Sequence, residues 1–205
     1  MTELDARERI LDASRAEIAA SGVRGLRIQR VAKRAGVSLG LIYYHFEDRA
    51  GLLRETLAAV DRAVQERIPE PDPRVPPGEL VAAMLEAEFG DEPGTRADSV
   101  VWNEIRAIAV FEDEVRTALS DATQDWQSRL TAPLSALGVP DAEIGGTATL
   151  LTGLVEGLSS RWLSGQLDTA SVQRLMRTGT AAILAGATGG RALVSPGTAP
   201  AAGAS

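Results

Sequence analysis

The sequence predicts an all-α protein, and three observations carry that prediction. Apolar residues recur at spacings of three and four along most of the chain, as in Ile28, Val31, Ala32 and Ala35. No stretch alternates apolar with polar residues in the way a half-buried strand would. The periodic segments are also bounded by residues that start or stop helices, such as Gly36, Ser38, Asp48 and a run of prolines between positions 69 and 77.

Taken in order, residues 1–4 are expected to fray and the first helix to run from about Asp5 to Ser21. Ile10, Leu11, Ser14, Ile18 and Ala19 share one face, and Gly22 ends it. Two short helices follow, about Ile28–Ala35 and Leu39–Phe46. Gly36 supplies the left-handed turn between them, and Ser38 can accept from an amide of the next turn. Val37, Ile42 and Phe46 are the apolar residues that hold the second helix at an angle to the first. This is the build of a helix-turn-helix, whose second helix can enter a DNA major groove.

A long helix from about Asp48 to Arg67 packs through Leu52, Leu53, Leu57 and Val60 and stops before Pro69, Pro71, Pro73, Pro76 and Pro77. Five further helices are expected near Gly78–Phe89, Thr95–Val110, Glu112–Leu137, Asp141–Ser164 and Thr169–Ala187. Asp141 and Thr169 are plausible caps. Past Gly189 the chain is rich in Ala, Gly, Pro and Ser, a composition expected to be disordered. The domain reading is therefore 1–50 for DNA binding, 51–188 for a larger helical unit and 189–205 for a tail.

The net charge of −7 conceals a segregation. Residues 1–54 hold ten basic and seven acidic side chains, a balance of +3. The remainder holds eleven and twenty-one, a balance of −10. A local positive face is what phosphate binding needs, and the acidic remainder discourages non-specific adhesion to DNA. The absence of cysteine excludes disulfides and thiolate metal sites. Neither a signal-peptide pattern nor an apolar run of about 20 residues is present. The expectation is a soluble cytoplasmic protein without membrane contact, metal or cofactor.

The run Ala35-Gly36-Val37-Ser38-Leu39-Gly40-Leu41-Ile42-Tyr43-Tyr44-His45-Phe46, followed by Asp48-Arg49 and Leu52-Leu53, strongly resembles the DNA-binding domain of the TetR family of ligand-responsive repressors. The resemblance implies an N-terminal three-helix domain joined by a long helix to a helical ligand-binding and dimerisation domain. It also implies base contacts from Gln29 and from Leu39, Gly40 and Leu41 at the start of the recognition helix, with the capping Ser38 among the DNA-binding residues. Gln29 has an amide that can pair with adenine. Leu39 and Leu41 either report thymine methyls and DNA shape or simply pack. Tyr43, Tyr44 and His45 are placed where the family grips the backbone, and Arg49 stands at a phosphate-contacting position that is usually lysine. Arg27 departs from the pattern, because a capping threonine is usual there; its guanidinium can still reach a phosphate.

In the helices after the proline run the resemblance is weaker, carried by helix order and by Leu151-Thr152-Gly153-Leu154-Val155-Glu156-Gly157-Leu158. It implies a four-helix dimer interface from the last two helices, for which Leu151, Leu154, Val155, Leu158, Trp162, Leu175 and Ile183 are the candidates. Gly153 and Gly157 would permit close approach. Trp102, Asn103, Arg106, Phe111 and Trp126 have the aromatic and polar character of a small-molecule pocket, with Arg106 a candidate for an anionic ligand.

The function expected is a homodimeric DNA-binding regulator, a repressor released from a palindromic operator on double-stranded DNA by a small-molecule effector. Dependence on an effector, and its sign, come from the resemblance. Two alternatives stand beside it. One is an orphan DNA-binding protein whose C-terminal domain only dimerises or binds another protein. The other is a small helical enzyme, disfavoured because the chain has one histidine, no nucleophile elbow, no phosphate loop and no zinc-binding pair.

Overall fold

A computed structural model describes residues 3–67 and 74–189, and among them every regular element is helical. The order is α1 (Glu3–Gly25), α2 (Ile28–Ala35), α3 (Leu39–Phe46), α4 (Arg49–Arg67), α5 (Pro77–Glu86), α6 (Pro93–Ala109), α7 (Asp113–Ala136), α8 (Asp141–Leu163) and α9 (Thr169–Ala187). Of residues 1–4, expected to fray, Glu3 and Leu4 already belong to α1, while residues 1 and 2, the proline run at 69–73 and the tail from 190 lie outside the described residues.

Gly22 breaks α1 as expected, with φ 69 and ψ 168, but one more turn follows before the chain leaves at Gly25. Glu104 of α6 explains the extra turn, since its carboxylate lies against Gly22 and accepts the Val23 amide at 2.9 Å. Asp48 caps α4, its Oδ1 accepting the Gly51 amide at 2.8 Å. The expected caps of the last two helices shift by one residue. Pro140 precedes α8, and Asp168 rather than Thr169 caps α9, accepting the Ser171 amide at 2.7 Å.

Two apolar cores form. The first gathers Ile10, Ile18, Val31, Ile42, Phe46, Leu52 and Leu57 from α1–α4 with Val101, Ile105 and Ile108 of α6, and so crosses residue 50. The second joins Leu85, Trp126, Leu130, Leu134, Leu151, Trp162 and Met176 from α5 and α7–α9. Fully burying a side chain such as Leu57 or Leu151 contributes roughly 1.5–3 kcal/mol. Helix α7 contributes Val115 to the first core and Trp126, Leu130 and Leu134 to the second, so a shift in it is felt by both.

α5 is shorter than its sequence suggests. It ends at Glu86, and a turn closed by the Phe89 amide on the Glu86 carbonyl swings residues 88 and 89 inward. Phe89 meets Trp162 edge to face at 5.8 Å, and Glu88 is carried into the interior.

Candidate functional site

The helix-turn-helix is built by local chemistry. Gly36 takes φ 66 and returns its amide toward Ala32 and Lys33, while the Val37 amide reaches the Ala32 carbonyl at 3.1 Å. Ser38 Oγ accepts from the Leu41 amide at 3.2 Å and so caps α3. Ile42 and Phe46 are buried, which turns Tyr43 and Tyr44 outward at 47% and 70% exposure. Buried Glu17 of α1 receives Arg30 and Arg34 at 3.0 Å each and fixes α2 against α1.

Gln29, Ser38, Leu39 and Gly40 are exposed, and Leu41 is half-buried. These residues with Tyr43 and Tyr44 form a continuous stretch of polar, ring and apolar groups around the start of α3. Two residues, His45 and Arg49, sit otherwise than the resemblance implies. His45 is half-buried between Tyr44 and Phe46, and its Nε2 is buried without a partner, so that atom is not offered to a phosphate. Arg49 points at the other domain, where Nη1 pairs with Glu112 at 3.1 Å and Nη2 donates to the Val23 carbonyl. Arg27 does not cap α2; its guanidinium donates to the Arg24 and Leu26 carbonyls.

A cavity of about 40 Å³ lies between α6, α7 and α8, bounded by Glu88. On a scale where one water needs roughly 10–15 Å³, it is tight. Trp102, Asn103, Arg106 and Trp126 all line it, together with Ser99, Thr123, Thr152, Val155, Glu156 and Ser159. Phe111 does not. It is 72% exposed at the α6–α7 corner, 6.0 Å beneath the Arg24 guanidinium, because the turn after Ala109 ejects it from the α6 face. Sequence reasoning missed Glu88 altogether; as part of a helix running to Phe89 it would have been a solvated charge.

The charges in the cavity are uneven. Arg106 is held by Glu156 at 3.0 Å, which neutralises the group expected to recognise an anion. Glu88 accepts the Trp126 indole N–H at 3.0 Å, and burial raises its carboxyl to about 7 against the opposing pull of that hydrogen bond and of Arg67. Behind Glu88, Asp98 joins Arg67 of α4 at 2.8 Å and Arg15 of α1. Arg129 of α7 binds Asp61 of α4. Ion pairs on buried carboxylates thus tie the cavity-wall helices α6 and α7 to α1 and α4, which flank the helix-turn-helix.

The candidate dimer residues divide. Leu151 and Trp162 are buried in their own protomer, against α5 and α9, and have no face for a partner. Leu154, Val155, Leu158 and Ile183 are half-buried; Leu154 lies over Gly179, where α8 meets α9. Leu175 is 46% exposed, and Leu150 is 63% exposed. Gly146, Leu150, Gly153 and Gly157 follow one stripe of α8. No atom lies within 4 Å of a Cβ on any of the three glycines, so they do not serve packing within the protomer.

Comparison with known proteins gives the same account at both ends of the chain. Residues 10–56 match the family described as bacterial regulatory proteins, tetR family, and residues 77–185 match the BetI-type transcriptional repressor C-terminal domain. The HTH-type transcriptional regulator BetI of Paraburkholderia xenovorans is 29% identical over 168 residues, 79% of this chain and 82% of that protein. A crystal structure described as a TetR-family transcriptional regulator from Rhodococcus sp. superposes with a TM-score of 0.81 at 34% identity, covering 88% of this chain and 98% of the other. A transcriptional regulator from Saccharomonospora viridis, crystallised in complex with choline, superposes with a TM-score of 0.70 at 24% identity, covering 87% and 95%. Among the described residues no helix is long and apolar enough to cross a membrane. With its helix-turn-helix and its C-terminal helices both matched, the chain belongs to the TetR family of bacterial transcriptional regulators.

Proposed function

We propose that this regulator binds a palindromic operator as a homodimer and is released from it by a small cationic effector held in the α6–α7–α8 cavity. The observation that carries the choice of ligand is the pairing of Arg106 with Glu156, which leaves Glu88, held by the Trp126 indole rather than by Arg106, as the acidic group facing Trp102 and Trp126. Two indoles and a carboxylate form an environment that favours a cation with an apolar body. Ser99, Asn103, Thr123, Thr152 and Ser159 add hydroxyl and amide groups to orient it. The choline complex of the Saccharomonospora regulator supports the same chemistry. An effector larger than the present cavity has to separate its walls, and that strain is available to favour a conformation with weaker DNA binding.

The dimer reading rests on the small-residue stripe of α8 with Leu150, and on Leu175 exposed on the neighbouring α9. Two-fold symmetry would set two recognition helices in successive major grooves about 34 Å apart, matching a palindrome. A cytoplasmic location follows from that role. The test is selection from a pool of random duplexes, followed by competition with choline and other quaternary ammonium ions. Enrichment of a palindrome that choline-type cations release supports the reading. No enrichment at low salt by folded protein overturns the operator, and release only by anions overturns the ligand class.

A further inference from the structure

The corner between α6 and α7 places a carboxylate among arginines that the DNA-binding helices present. Arg24, Arg27 and Arg49 line a groove with Leu26, Ile108, Phe111 and Glu112, and Glu112 is the one acidic residue in that lining. Arg27 immediately precedes α2 and Arg49 opens α4. Residues at the starts of two helices therefore bring guanidinium groups to the same groove. The site has a surplus of positive charge and one acidic occupant, Glu112 Oε2, at 3.1 Å from Arg49 Nη1.

We propose that Glu112 holds Arg49, which stands at the family's phosphate-contacting position, in the unbound protein, so that a DNA backbone phosphate and this carboxylate compete for its guanidinium. The proposal rests on the DNA-binding reading above and adds a regulatory contact to it. Exchange is physically accessible, because the Arg49 and Glu112 side chains are 37% and 41% exposed and no buried charge is stranded when they part. Arg49 is steadied for either partner by its second bond, Nη2 to the Val23 carbonyl at 3.1 Å. The two non-bridging oxygens of a phosphodiester can be held bidentately by a guanidinium, whereas Glu112 makes a single contact with it.

The corner is also tied to the cavity. α6 carries Trp102, Asn103 and Arg106, and α7 carries Thr123 and Trp126, so the helices on either side of the corner that holds Glu112 are cavity walls. A ligand that parts those walls displaces Glu112 relative to Arg49, which makes the carboxylate a direct means by which the effector domain acts on a DNA contact.

The test is a double-mutant cycle in full-length protein: wild type, Glu112→Gln, Arg49→Gln and the double variant, each titrated by fluorescence anisotropy against a duplex enriched from the random pool. Gln keeps the length of Glu at an exposed position, and thermal melts of all four proteins check the fold. Releasing an exposed pair is worth about threefold per protomer, hence about tenfold for a dimer on two half-sites. Glu112→Gln is expected to tighten binding by that factor when Arg49 is present and by less than about twofold when it is Gln. An equal gain in both backgrounds reduces Glu112 to a diffuse repulsive charge and overturns the proposal, as does no gain in either. Wild type that enriches no duplex defeats the DNA-binding reading itself, a result separate from both.

Discussion

The Trp126 indole N–H and the Glu88 carboxylate meet at 3.0 Å in the interior, with Glu88 brought there by the early end of α5. Burial outweighs the hydrogen bond and raises the Glu88 carboxyl from 4.5 to about 7. Between those two values the folded protein keeps a proton that the unfolded chain has lost. Stability conferred by the neutral form is therefore complete below about pH 4.5 and lost as pH rises through about 7. Urea unfolding at pH 5 and pH 8 should show a decline in the wild type that Glu88→Gln lacks, on the order of 3 kcal/mol across the full window. Identical pH dependence in the two proteins would place the titration elsewhere.

The same titration governs ligand binding if the effector is a cation. Glu88 has to lose its proton to offer a negative charge, so affinity should rise with pH by up to about tenfold per unit below about pH 7 and level off above it. Arg67 and the carboxylates of Asp61 and Asp98 act on Glu88 from behind, and the Arg106–Glu156 pair faces it across the cavity. Calorimetry with choline as the probe, in buffers of different ionisation enthalpy, should register proton release in the wild type and none in Glu88→Gln. A cation that binds equally well at pH 5.5 and 8 would remove Glu88 from the site.

How much the sequence revealed depends on the range of the determining forces. The α2–α3 bend was legible because Gly36, Ser38 and the spacing of Val31, Ala35, Ile42 and Phe46 fix it within one short segment. Glu88 was not, because its burial depends on α5 stopping at Glu86, a boundary set by tertiary packing of Phe89 against Trp162. Phe111 lies next to a helix of cavity residues in sequence, yet the turn after Ala109 sends it outward. Leu150 and Leu151 are adjacent leucines; only the location of α5 and α9 determines that Leu151 faces inward and Leu150 outward.

That distinction makes the dimer interface testable. Leu150→Arg alters a side chain with 63% exposure beside glycines that meet nothing in the protomer, so the protomer's stability should change by less than about 0.5 kcal/mol. In a four-helix interface the same arginine would be buried without a partner. Sedimentation should then report a monomer, with operator affinity lost alongside. A variant that sediments as the wild type does would exclude this stripe of α8 as the dimer contact.

Two glycines four residues apart separate the fold of the helix-turn-helix from its contact with DNA. Gly36 has φ 66, a conformation that costs an L side chain about 1–2 kcal/mol, so Gly36→Ala should lower stability by about that amount. Gly40 lies in α3 with no atom within 4 Å of a Cβ position. Alanine there stiffens the unfolded chain and favours helix, which should raise stability by about 0.4–1 kcal/mol. Its methyl group would nevertheless stand on the face expected to approach the bases. Gly40→Ala should therefore combine a higher melting temperature with weaker operator binding, and Gly36→Ala should melt earlier. Unchanged operator affinity in the stabilised Gly40→Ala protein would show that the backbone at this point does not come close to DNA, leaving sequence reading to the flanking side chains Gln29, Leu39 and Leu41.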